Sequence, residues 1–397
     1  MRHYFFLTYA LIFTALLFGI NILLFRFLHE EWWRNKYVRW SLLTVTISSC
    51  LSLIVWALGI YSNVRSVAFF GAAVTMAMFL IQLDLVISLP IAAIFNLLGG
   101  GVISLVSIRS RNKNEIIKSR RKFIRRVSAA IPAAMVSSQL SGIVNSYRNI
   151  KIPVRNLPIA DLPHELEGLK IAHLSDSHLG YYKNLDDLQD AVEEIAKYSP
   201  DLVLVTGDIS DNLDILDDAN RIIAGLNPPN GIFASVGNHE YYRGIGRVLK
   251  IFEKSPYPML INRGVSIDIN GIPVYIGGAD DPVHLRGVNL EFLRDTIKKT
   301  IYDAPSDSFK ILMSHRPRGL DFAPEFDINL VLAGHTHGGQ LGFGGRSMFE
   351  SVWPEMYLWG IYQKDNSTLY TSSGMGHWMP FRLGCPAEAP ILILQKS

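Results

Sequence analysis

From Val67 to Ile108 the chain runs 42 residues with Asp84 as its only charged side chain. At 1.5 Å per residue, a helix of roughly 20 residues crosses the ~30 Å hydrocarbon core of a bilayer. This run is about twice that length, so it predicts two spans turning between Asp84 and Pro90, or one span followed by an interfacial helix. Upstream, Tyr4 to Phe25 is uncharged and long enough for a crossing, and His29 to Arg39, with Trp32 and Trp33, supplies an interfacial end. Ser41 to Tyr61 makes a further span. Residues 1–108 therefore read as an all-α, multi-span transmembrane domain. Asp84 marks either a helix end at the interface or an intramembrane functional group, because such residues are costly and usually face a cavity or a partner. No second acid or histidine accompanies it in the spans, which argues against a transporter.

The net charge of +3 is a cancellation. Residues 1–149 carry sixteen Lys or Arg against four acids, and the remainder carries twenty-two against thirty-one, so +12 is set against −9. A hydrophobic content of 49% excludes a disordered chain, and two cysteines exclude a disulfide-stapled scaffold. Nine of the positive charges fall between Arg109 and Arg126, which the positive-inside rule keeps in the cytoplasm. Residues 109–149 read as a basic linker. Within it, Ser119-Arg120-Arg121-Lys122-Phe123-Ile124-Arg125 resembles the twin-arginine export motif and precedes a mildly apolar stretch, Val127 to Val144. Export would place the C-terminal domain outside the cytoplasmic membrane as part of a multi-pass inner-membrane protein. The other reading is a basic flank that binds anionic headgroups.

From Leu169 the pattern changes to short apolar runs alternating with amphipathic stretches. Strands are predicted at Leu169 to Leu174, Leu202 to Thr206 and Ile232 to Val236, with helices at Leu185 to Tyr198 and Leu213 to Gly225 between them. This is a βαβαβ succession with parallel pairing. A hairpin follows at Val265 to Ile269 and Ile272 to Gly277 around Asn270-Gly271, with further strands at Phe309 to Met313, Leu330 to Ala333, Leu369 to Ser372 and Ile391 to Leu394. Residues 150–397 read as one mixed α/β domain.

Polar residues fall at the carboxyl ends of these strands, where open α/β sheets bind ligands. They are Asp176-Ser177-His178, Gly207-Asp208, Gly237-Asn238-His239-Glu240, His315 and Gly334-His335-Thr336-His337. Residues two apart in an extended segment point to one side, so Asp176 with His178, and His335 with His337, are expected to converge. The mixed carboxylate, amide and imidazole set suits Zn, Mn, Fe or Co rather than Ca. Asp176, His178, Asp208, Asn238, His315, His335 and His337 exceed the needs of one ion. A pair of divalent ions is the usual clamp for in-line phosphoryl displacement.

In this order the motifs resemble the calcineurin-like metallophosphoesterases over Leu169 to Leu394. Gly334 to Gln340, Arg382-Leu383-Gly384-Cys385-Pro386 and Glu388 are similar to the membrane-attached bacterial subgroup. The resemblance implies a four-layer αββα sandwich. It implies that Asp176, His178, Asp208 and His337 hold one metal and that Asp208 bridges to a second, completed by Asn238, His315 and His335. His239 would act as general acid to the leaving oxygen, and a hydroxide held by the metals would attack phosphorus, since coordination lowers the pKa of water to ~7.

The reading is a metal-dependent phosphoric ester hydrolase acting on a phosphodiester or a lipid-linked pyrophosphate. The expected partners are membrane lipids and a phosphoester substrate. The acidic domain argues against nucleic acid. Phe349, Trp353, Tyr357, Trp359, Tyr362, Trp378 and Phe381, with Met356 and Met379, either receive the apolar part of a lipid substrate or pack within the fold. A membrane scaffold with a vestigial phosphoesterase domain is the alternative class.

Overall fold

The computed structural model describes residues 2–62, 64–107, 113–180, 182–282, 289–377 and 379–397. Ile108, Arg109, Arg111 and Trp378, which the sequence reading uses, lie outside the described residues. The chain forms two compact units, Met1–Val144 and Asn145–Ser397.

The first unit holds α1 (Arg2–Leu28), α2 (Glu30–Arg34), α3 (Lys36–Tyr61), α4 (Arg65–Ser107) and α5 (Lys113–Ser146). Among the described residues, four stretches are long and apolar enough to cross a membrane: Thr8–Leu28, Lys36–Tyr61, Ser66–Gly99 and Arg121–Ser146. Ile12, Leu16, Leu51, Leu58, Ile94 and Leu97 point outward from them.

Two expectations are corrected here. The run from Val67 does not turn between Asp84 and Pro90, nor does it break into a span and an interfacial helix. It is one 43-residue helix with Pro90 inside. A proline removes a single backbone hydrogen bond, whereas a turn in hydrocarbon would leave several polar groups unsatisfied, so continuing the helix costs less. The segment read as a basic linker is also helical: α5 carries the arginine motif and the following alanines through Pro132 without a break.

Asp84 lies at neither helix end. It is buried in mid-helix and accepts a hydrogen bond from Gln139 Nε2 (2.9 Å). Ser128 Oγ donates to the Ala92 carbonyl (2.9 Å), so α5 runs antiparallel to α4 along the Asp84 face. Asn21 Nδ2 to the Gln82 carbonyl (3.0 Å) and Thr75 Oγ1 to Ser52 Oγ (2.8 Å) join other helices in the same way.

The second unit contains β1 (Val154–Ile159), β2 (Lys170–Leu174), α6 (Leu185–Ala196), β3 (Leu202–Thr206), α7 (Leu216–Ala224), β4 (Ile232–Ser235), α8 (Asn238–Arg243), α9 (Ile245–Phe252) and β5 (Met259–Leu260). It continues through β6 (Arg263–Ile269), β7 (Ile272–Gly278), α10 (Leu290–Thr300), β8 (Phe309–Met313), β9 (Leu330–Ala333), β10 (Gly342–Phe343), β11 (Arg346–Ser347), β12 (Gly360–Lys364), β13 (Ser367–Thr371) and β14 (Ile391–Lys396). The strands form two six-stranded sheets, ordered β1-β14-β2-β3-β4-β5 and β12-β13-β9-β8-β7-β6, and a small β10-β11 hairpin.

Alternation along the strands builds the layers. In β3, Leu202 and Leu204 enter the core between the sheets, while Val203 and Val205 face the core with α6, α7 and α9. In β9, Leu330 and Leu332 enter the inter-sheet core, and Val331 and Ala333 face the core containing Leu293 and Ile297 of α10. The expected αββα sandwich is therefore present, with strands apolar on both faces because both are covered. β2, β3 and β4 pair in parallel, and β6 and β7 form the antiparallel hairpin at Asn270-Gly271, where both turn residues have positive φ.

Leu204 is fully buried between the sheets. Leu204→Ala is expected to destabilise the second unit by about 2–5 kcal/mol, read as a lowered unfolding midpoint of the full chain in detergent. An unchanged midpoint would contradict this packing.

Candidate metal centre

The end of each central strand delivers one motif. Asp176 and His178 follow β2, Asp208 follows β3, Asn238 and His239 open α8 after β4, His315 follows β8, and His335 and His337 follow β9. Their convergence does not come from extended alternation, as the spacing suggested. Asp176, His178, Asp208, His335 and His337 all have positive φ, between 46° and 65°. Non-glycine residues rarely adopt this conformation, and it clusters at functional sites. Three of the five motifs therefore pass through left-handed turns at the strand ends, while Asn238 and His239 open α8.

Three overlapping groups result: Asp176, His178 and His337; His178, Asp208 and His239; and Asp208, His315 and His335. In each, the candidate ligand atoms lie within 4.8 Å of one another. His337 Nε2 is 3.4 Å from Asp176 Oδ1 and 3.2 Å from His178 Nε2. Asp208 Oδ2 stands between the groups, 3.6 Å from His178 Nε2 and 3.3 Å from His315 Nε2. Asp208 Oδ1 is occupied by the His239 amide (2.8 Å) and Asp176 by the His335 amide (3.0 Å to each oxygen), so the carboxylates are fixed from behind.

The imidazoles are oriented too. His315 Nδ1 lies 2.7 Å from the Thr206 carbonyl, which can only accept, so the proton sits on Nδ1 and Nε2 faces the locus. Asp211, which the sequence reading missed, does the same for His178 Nδ1 (3.3 Å) and His239 Nδ1 (2.5 Å), and is itself held by Arg243. Its position three residues after Asp208 was the available signal. Arg316 was also missed: paired with Asp281 through two hydrogen bonds, it reaches His335 Nε2 (2.5 Å). Glu240 joins two motif turns by accepting from the amides of Asp208, Ile209 and Gly237. Arg382 is buried, donating to the carbonyls of Ser373, Gly374, Cys385 and Pro386, and Glu388 accepts from Trp359, Tyr370 and Ser373. These late residues fix the loop whose Gly376 amide binds the Asp176 carbonyl.

The donor set suits divalent cations on a direct criterion. Asn238 Oδ1 is buried without a hydrogen-bond partner, and an unmatched buried polar atom costs about 1–3 kcal/mol. Glycine is required where the turns meet. A Cβ on Gly334 would collide with the Asp176 carboxylate and Ser175, and one on Gly237 with Asp208 and His315.

Electrostatics divide the imidazoles. Burial lowers His178, but the Asp211 hydrogen bond and the charges of Asp211, Asp208 and Asp176 outweigh it and lift it to about 9. Burial also opposes the rise of His315, which Asp208 and Asp176 carry to about 10. His335 and His337 are held well below their usual value, first by burial and then by nearby cations, Arg316 for the one and His178 and Arg382 for the other. Burial would raise Asp208, but His315 and His178 hold it well below the carboxylate range.

His178 and His315 are thus protonated at pH 7 without metal, and a metal takes a neutral imidazole. Mn or Zn binding at pH 7 is expected to release protons, with apparent affinity rising as pH approaches about 10. Titration calorimetry in buffers of different protonation enthalpy reads this directly, and an enthalpy independent of buffer would contradict it.

A family model for calcineurin-like phosphoesterases matches residues 169–339. The chain is 35% identical over 185 residues to an uncharacterized metallophosphoesterase of Aquifex aeolicus, covering 46% of this chain and 69% of that one. It is 32% identical over 254 residues to one of Campylobacter jejuni, covering 62% and 64%. It is 30% identical over 285 residues to a cattle protein named transmembrane protein with metallophosphoesterase domain, covering 67% and 62%. The chain thus spans just under two thirds of the Campylobacter and cattle relatives. With five motifs from the strand ends of both sheets converging on one locus, it belongs to the calcineurin-like phosphoesterase family.

Proposed function

We propose that the chain is a membrane-anchored, two-metal phosphoesterase. Asp176, His178, Asp208 and His337 hold one ion, and Asp208, Asn238, His315 and His335 hold the other. The observation that carries this reading is the buried, unpartnered Asn238 Oδ1 beside two carboxylates already fixed by backbone amides. Divalent ions bound there would polarise a phosphoryl oxygen and lower the pKa of a water to ~7.

The remaining work belongs to the chain. His239, half-buried and held at Nδ1 by Asp211, presents Nε2 as the proton donor to the leaving oxygen. Arg316 can only donate, so its contact with His335 fits an imidazole whose proton is on Nδ1. If His335 served as a ligand through either ring nitrogen, that pairing would be lost and the Arg316 guanidinium would be available to donate to a phosphate oxygen of the substrate.

The substrate we favour is a lipid phosphoester or lipid-linked pyrophosphate. Phe343, Met348, Val352 and Trp353 form exposed apolar surface directly after the His337–Gln340 turn, whereas Trp359 and Phe381 of the same aromatic segment are buried in the fold. The anchor supports this reading, and the cattle relative's name likewise pairs a transmembrane protein with a metallophosphoesterase domain. Because α5 is antiparallel to α4 and its basic end meets the positive-inside rule, the chain reaches the second unit at the opposite, extracytoplasmic face of a bacterial inner membrane. That orientation agrees with the export reading of the arginine motif.

The test is hydrolysis of a chromogenic diester and of a detergent-solubilised lipid phosphoester with added Mn or Zn. Wild type is expected to act on both and to favour the lipid. Asp208→Asn should abolish turnover, and His239→Ala should lower it ~10²–10⁴-fold with metal retained. Equal inactivity of wild type and Asp208→Asn under every metal would favour the scaffold reading.

A further inference from the structure

The arginine motif has a structural setting that export does not require. In the first unit, a cavity of about 310 Å³ opens at the end of α1, between α2, α4 and α5. Leu28, Trp32 and Ile124 form its apolar wall, and Arg121 and Arg125, one helical turn apart on α5, form its cationic wall. The volume lies at the small end of ligand pockets, roughly 300–1,000 Å³, which suits a headgroup rather than an acyl chain.

The walls are fixed. His29 Nε2 lies 2.8 Å from the Leu89 carbonyl of α4, and its ring stacks on Trp32 with centroids 4.0 Å apart, pinning the turn after α1. Two carboxylates also line the cavity, and each is already matched: Glu30 by Arg34 (2.7 Å) and Glu31 by Arg125 (3.0 Å). Arg121 has no ion-pair partner among the described residues, so it is the cationic excess of the site. An indole beside a guanidinium at the end of apolar spans is the chemistry of the headgroup layer.

We propose that this cavity binds the phosphate of an anionic phospholipid, with Arg121 as its principal donor, Arg125 as the second and Trp32 against the glycerol region. A free phosphate would use the guanidinium but gain nothing from the apolar wall. A zwitterionic lipid would bring an ammonium to carboxylates that are already paired. The inference rests on the membrane reading of the first unit and is independent of the metal centre.

The experiment is native mass spectrometry of the full chain in detergent, titrated with phosphatidylglycerol, phosphatidylcholine and inorganic phosphate. Wild type is expected to retain phosphatidylglycerol selectively. Arg121→Gln should weaken it on the order of ten-fold. Lys122→Gln, which removes the same charge next to the cavity but outside its lining, should leave it within about two-fold. Arg121→Gln breaks no ion pair among the described residues, and an unchanged helical circular-dichroism signal would confirm its fold. Equal retention of the two lipids, an equal loss in Lys122→Gln, or displacement of the lipid by millimolar phosphate would each overturn the site. A chain that is soluble and monodisperse without detergent would overturn the membrane reading, and the site with it.

Discussion

Two carboxylates and four imidazoles are crowded into one locus at the edge of a double sheet, and the cost of holding them there governs the surrounding structure. Unpaired buried charge is among the most expensive arrangements a fold can contain. Four of the six therefore carry a specific support: amides of His239 and His335 on the carboxylates, the Thr206 carbonyl on His315 and Asp211 on His178, with Glu240 across the turns. Left-handed backbone at five of the motif residues is the conformational cost of aiming them inward. The two apolar cores on either side of the strands supply the rigidity that keeps those turns in place.

The first unit follows a different pattern, built on helices long and apolar enough to cross a membrane. Helix continuity outweighs local sequence signals there, and neither Asp84 nor Pro90 interrupts α4. Polar side chains there act between helices: Gln139 to Asp84, Ser128 to the Ala92 carbonyl, and Asn21 to the Gln82 carbonyl. Among the described residues the candidate spans still number four, distributed differently from the sequence expectation, because the stretch from Arg121 is itself long and apolar enough to cross a membrane.

Much of the second unit was legible because its strands are short apolar runs ended by polar motifs, and the five motifs stand at those ends in the structure. Less was legible where the information is not periodic. The helices α8, α9 and α10 were missed; α8 is only six residues long and opens inside a motif. Positive φ at Asp176 or His337 is only a weak tendency of Asp and His and is not fixed by spacing, so the mode of convergence was misjudged. Asp211 and Arg316 act through partners distant in sequence, His239 and Asp281, and only the folded chain brings those partners together.

The account stands most directly on whether two ions occupy one locus that shares Asp208. Elemental analysis of the full chain, purified with Mn or Zn supplied and excess metal removed, measures this. The expected result is two ions per chain in wild type and at most one in Asp208→Asn, with the protein still folded. Fewer than two in wild type, or two retained without the Asp208 carboxylate, would contradict it.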